Sequence, residues 1–116
     1  MVFFWKLYFK KMWLLSVKPS DREDKRYEAK ICMCEKKMAC KGTNTKKVHF
    51  GQPDAETYVD GASEAKKKSY LARHSKSIGE DWTKPDTPGA LSRFLLWGSS
   101  RSIRDNIKKF KEKFSL

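Results

Sequence analysis

Two different hydrophobic periods divide this chain of 116 residues, and together they leave little choice of fold class. Tyr27, Ala29, Ile31 and Met33 alternate with Glu28, Lys30, Cys32 and Cys34, the period of a half-buried strand. Near the other end, Ile103, Ile107, Phe110 and Phe114 recur at four-three-four spacing, an apolar helical seam. Turn signals at Lys18-Pro19-Ser20-Asp21 and Lys41-Gly42-Thr43-Asn44 cut the first half into three strands, Trp13–Val17, Arg26–Cys34 and Thr45–Phe50. Three strands alone are marginal, so the polar face of the meander is expected to be covered by helices or by a partner.

Helix signals fill the second half. Ser63 precedes a helix over about 64–76 with Glu64 in its first turn, and Tyr70, Leu71, His74 and Ile78 form its inner stripe. Lys66, Lys67, Lys68, Arg73 and Lys76 are expected to stay outside, and His74 to be a packing residue. Thr87-Pro88-Gly89 sets a capping hydroxyl before a proline at the first helical position, and Gly98 ends that helix after Trp97. Ser102, three residues before Asp105, starts the last helix, over about 101–114. The expected fold is α+β, a small three-stranded antiparallel meander followed by about three helices. Residues 13–116 form this single domain, behind an apolar and basic N-terminal extension over 1–12. Its core should come from Phe50, Tyr70, Leu71, Trp82, Leu91, Phe94, Leu95, Trp97, Ile103, Ile107 and Phe110.

The extension is the densest apolar stretch. Residues 2–13 hold three Phe, two Trp and one Tyr, broken by Lys6, Lys10 and Lys11. As a helix, Val2–Leu15 would span about 22 Å, short of the roughly 30 Å hydrocarbon core of a bilayer. No run of 18 uncharged apolar residues exists, so no conventional transmembrane helix is expected. Charge inside the run, and no small-residue cleavage site after it, argue against a secretory signal. Three readings remain: an interfacial anchor, a segment docked on a protein partner, or burial within its own fold. Docking is favoured, since Lys6, Lys10 and Lys11 are costly to bury unless acidic groups meet them.

Net charge is +12, and it sits at the two ends: +6 over residues 1–42, +2 over 43–98 and +4 over 99–116. Such an excess favours an acidic protein, lipid headgroups or nucleic acid as partner. On the last helix Arg104, Lys108 and Lys111 share one face, with Lys109 and Lys113 beside it. The partner-binding residues expected from these patterns are Phe3, Phe4, Trp5, Lys6, Tyr8, Phe9, Lys10, Lys11, Arg104, Lys108 and Lys111.

Catalytic apparatus is not visible. Phosphate-binding glycine loops, RNP motifs, helix-turn-helix patterns and paired carboxylates are missing, and the chain is expected not to be an enzyme. Cys32, Cys34 and Cys40 with His49 invite a zinc reading, but C-x-C-x5-C lacks the usual knuckle spacing. No metal and no cofactor are therefore expected. The odd cysteine count points to a reducing compartment with all three thiols free.

Ordered motifs run through the chain: Lys47-Val48-His49-Phe50-Gly51, then Tyr58, then Lys68-Ser69-Tyr70-Leu71-Ala72-Arg73-His74. Glu80-Asp81-Trp82, then Thr87-Pro88-Gly89-Ala90-Leu91-Ser92-Arg93-Phe94-Leu95-Leu96-Trp97 and Ile103-Arg104-Asp105 before Lys109-Phe110 continue the series. With Val17-Lys18-Pro19-Ser20 to Tyr27 as an opening strand pair, residues of about 17–114 resemble a family of small basic proteins. That family has no characterised activity and is encoded by large nucleocytoplasmic DNA viruses of the chlorella-virus and giant-virus kind. The chain departs from its pattern at Ala90-Leu91, at Phe94 and in the linker Gly98-Ser99-Ser100. What the resemblance implies is a setting: a virus whose capsid overlies an internal lipid membrane. In that setting the expected role is a small structural virion protein, a minor capsid component bridging major capsid proteins, the inner membrane, or both. Its expected location is the virion capsid, after synthesis in the host cytoplasm. The alternative is an accessory protein that binds viral nucleic acid through the basic C-terminal helix.

Overall fold

The computed structural model describes residues 11–75 and 81–116. Three strands, β1 (Lys11–Pro19), β2 (Tyr27–Cys34) and β3 (Thr45–Phe50), form one antiparallel sheet in the order β1-β2-β3. Helix α1 (Glu64–His74), helix α2 (Pro88–Leu91) and helix α3 (Ile103–Phe114) follow, so the α+β meander-then-helices expectation holds. β1 begins two residues before the expected start and ends two residues after the expected end. Pro19 is tolerated there because an edge strand does not need every N–H for its ladder. Residues 11–15 are thus extended, so no helix over Val2–Leu15 could run past residue 10.

Register explains which face is buried. Leu14 pairs with Ile31 and Val17 with Ala29, while Ala29 also faces Val48 and Tyr27 faces Phe50. These inward residues join Tyr58, Tyr70, Leu91, Leu95, Leu96, Trp97 and Phe110 in one core cluster. A shift in register between Leu14 and Ser16 sets Leu15 as the extra residue of a bulge. Helices therefore cover the apolar face of the sheet. The polar face, expected to be covered by helices or by a partner, carries no α-helix among the described residues, because burial of apolar area decides where helices pack. Only the short turns of the β2–β3 connection lie against it, over Cys32.

Three caps act as their sequences indicate: Ser63 accepts from Lys66 N–H, Thr87 from Ala90 N–H and Ser102 from Asp105 N–H. The second helix departs from expectation after one turn. Ser92–Leu96 winds as a π-turn, closed by Trp97 N–H donating to the Ser92 carbonyl at 3.1 Å. The wider turn lets three consecutive large side chains, Leu95, Leu96 and Trp97, all be buried, which one α-helical stripe cannot do. Gly98 is required for closeness: a Cβ there would lie 2.3 Å from the Phe94 carbonyl oxygen. Asn106, 1% exposed, donates to the Leu95 and Ser100 carbonyls and accepts from Ser100 N–H, tying α3 to the π-turn.

The loop before α1 is tied down from both sides. The Arg26 guanidinium makes a two-pronged salt bridge with Asp60, whose carboxylate also accepts from Thr57 N–H and Oγ1. Lys67 and Arg101 flank the Tyr58 ring at 4.2 and 4.1 Å. Lys67, expected to point outward, reaches inward to the Gly98 carbonyl at 2.7 Å.

Cysteine pairing corrects the expectation of three free thiols. Cys32 and Cys40 form a disulfide with Cα atoms 5.9 Å apart, and Cys34 is the free thiol. Short helical turns at Lys37–Ala39 and Gly42–Asn44 fold the β2–β3 connection back on the strand, which a count of cysteines does not reveal.

Candidate interaction surface

Register across the sheet also sets what the uncovered face displays. Lys18 stands opposite Glu28, Ser16 opposite Lys30, Trp13 opposite Cys32 and Lys11 opposite Cys34. On the other side Glu28 faces His49, Lys30 faces Lys47 and Cys32 faces Thr45. Lys30 and Lys47 are thus directly opposed like charges, an arrangement that costs stability on a bare sheet. Lys30, Lys41 and Lys47 surround a shallow hollow of about 310 Å³ that Leu15, Cys40 and Thr45 help to line. None of the three forms a salt bridge among the described residues.

At one end of this face the chemistry changes sign. Glu28 is 3% exposed, although its strand position reads as outward and solvated. Its Oε1 lies 3.3 Å from Lys18 Nζ, and its Oε2 lies 3.8 Å from His49 Nδ1 without a hydrogen-bond partner. Ser20 Oγ stands 2.8 Å from the same Nδ1 and accepts from Arg22 N–H. Serine and carboxylate therefore meet one imidazole nitrogen, which is not the relay that activates a serine nucleophile.

The expected partner-binding residues fall into three groups. Phe3, Phe4, Trp5, Lys6, Tyr8, Phe9 and Lys10 lie outside the described residues. Lys11 opens β1 on the uncovered face, its Nζ 4.3 Å over the Trp13 ring. Arg104 and Lys108 are exposed and Lys111 half-buried along one side of α3. Beside them Lys109 is held by Ser99 Oγ at 2.8 Å, and Lys113 lies over the Phe94 and Phe114 rings. Lys30, Lys41 and Lys47 were not among the expected residues. Alternation marks Lys30 as outward, but its opposition to Lys47 appears only once the β2–β3 register is known.

A larger cleft of about 820 Å³ lies between the loop after β3, α1 and the start of α2. Its wall is an aromatic stack in which Tyr70 lies 4.4 Å from Trp97 and 4.1 Å from His74. His74 is a packing residue, as its helical position indicates. Lys25, Lys66 and Arg73 in its lining are matched by Asp54, Glu56 and Asp81, so the cleft carries no charge preference. No helix among the described residues is long and apolar enough to cross a membrane.

Comparison with known proteins gives two relationships. Residues 15–74 match the family of unknown function (DUF5754). The uncharacterized protein L851 of Acanthamoeba polyphaga mimivirus is 33% identical over 87 residues, which cover 72% of this chain and 80% of that protein. No solved structure matches the chain.

Proposed function

This chain belongs to the family of unknown function (DUF5754), with a relative in a giant DNA virus, and from that premise we propose a non-catalytic structural role in the virion. In this reading it is a minor capsid component that bridges major capsid proteins, and its uncovered sheet face docks on an acidic protein surface. The observation that carries the reading is the opposition of Lys30 and Lys47 on that face, with Lys41 beside them and none of the three in a salt bridge among the described residues. An acidic partner relieves their repulsion. Protein is favoured over nucleic acid because the face mixes lysine with apolar groups, Leu15 and Trp13, and because the sequence just before β1 is the aromatic run from Phe3 to Phe9. Interfaces with nucleic acid are more polar and rest on phosphate contacts. Binding of nucleic acid along Arg104, Lys108 and Lys111 is the second reading, favoured by that basic stripe alone.

Mass spectrometry of purified, stripped virions tests the role directly. The expected result is the protein at fixed stoichiometry to the major capsid protein, reduced severalfold by Lys30→Glu with Lys47→Glu. DNA filter binding at rising salt separates the second reading. A nucleic-acid binder would lose affinity steeply with salt, and loss on Arg104→Glu with Lys108→Glu would replace the capsid role.

A further inference from the structure

We propose that Asp21, Glu28 and His49 form a binding site for a first-row divalent cation, with Zn²⁺ the best match. The proposal is independent of any capsid role. One ligand atom from each residue lies within 4.8 Å of the others. The fold makes this cluster in two steps. The β2–β3 register sets His49 beside Glu28, and the turn that leaves β1 returns Asp21 over both, held by Ser20 N–H donating to the Arg26 carbonyl at 3.0 Å.

Glu28 supplies the observation that points to a ligand. A carboxylate 3% exposed keeps Oε2 without a hydrogen bond, and that oxygen faces the imidazole. Lys18 reaches only Oε1, and its own side chain is 63% exposed, so it offsets little of the burial. Such an unsatisfied buried oxygen is costly, and a bound cation satisfies it.

Donor chemistry narrows the ion. Two carboxylates and one neutral imidazole carry a charge of −2 and suit zinc-like metals, whereas Ca²⁺ and Mg²⁺ prefer oxygen alone. Tetrahedral ligands at about 2.0–2.2 Å from zinc stand roughly 3.3 Å apart. Asp21, exposed in its turn, can supply the closure this needs. The cysteines take no part, and the site departs from the expectation, drawn from the sequence, that the chain holds no metal.

Calorimetric titration of the full chain, purified through chelator, with zinc chloride tests the site. The Cys34→Ser variant is run in parallel to remove the free thiol. One equivalent per chain is expected for both, with binding weakened at least about tenfold by Asp21→Asn and by His49→Ala. Asp21→Asn is the decisive variant, because Asp21 is exposed and its change leaves the fold intact by circular dichroism. Co²⁺ should give a visible spectrum without a thiolate charge-transfer band. No stoichiometric binding, binding unaffected by Asp21→Asn and His49→Ala, loss on Cys34→Ser, or equal affinity for Mg²⁺ would each overturn the proposal.

Discussion

Asp60 shows how much one side chain can hold. The hydrogen-bonded Arg26 guanidinium, helped by Thr57 N–H and Oγ1, keeps its carboxyl well below the usual carboxylate range. A depressed carboxyl stabilises the fold above its unfolded value near about pH 4 and loses that contribution as pH falls below it. Asp60→Asn should therefore cost about 1–3 kcal/mol at neutral pH. Chemical denaturation from about pH 6 down to pH 2 should show the wild type losing stability more steeply, the two curves converging in acid. Reading the sequence alone finds neither this pair nor Asn106. Arg26 and Asp60 are 34 residues apart, and Asn106 lies on a helix face that its neighbours mark as mixed. Their roles depend on backbone groups, Thr57 N–H and the Leu95 carbonyl, that no side-chain pattern encodes.

Elements were far more legible than contacts. Alternation gave β2 and β3 almost to the residue, and capping chemistry gave all three N-cap residues, because these signals are local, though the last helix starts at Ile103 rather than about 101. The π-turn was not legible: Leu95-Leu96-Trp97 reads as a helix end, and the contacts that go with the wider winding, Trp97 on Tyr70 among them, are made only in the folded chain. The same holds for the bridge from Cys32 to Cys40, which is a property of the folded connection. Thiol titration of native protein purified without reductant should find one reactive cysteine, Cys34, and three after denaturation with reductant. Closing so short a loop is worth roughly 2–3 kcal/mol, so Cys40→Ser should lower denaturant stability by about that amount. Three thiols in the native, unreduced protein would show that the bridge does not form.

On the scale of the molecule, one face of the sheet is sealed by helices and the other is left to charge. Of the candidate surface, the α3 stripe and Lys11 were visible in the sequence, whereas the lysine hollow needed the strand register. Because β1 starts at Lys11, a truncation meant to spare the sheet removes residues 2–10. That variant should keep its circular dichroism and its cooperative melt but fail to enter virions. If it unfolds, the segment belongs to the core. If it assembles normally, the segment is dispensable, and either result ends the docking reading of Phe3–Phe9. The sheet order has a last consequence, for the behaviour of free copies in solution. Among the described residues β1 and β3 each have one side unpaired, and nine residues of open strand invite any other strand to add on. Lysines along the two edge strands, Lys11 and Lys18 on β1 and Lys46 and Lys47 on β3, oppose such edge-to-edge stacking into insoluble fibres, because an incoming copy carries the same charges.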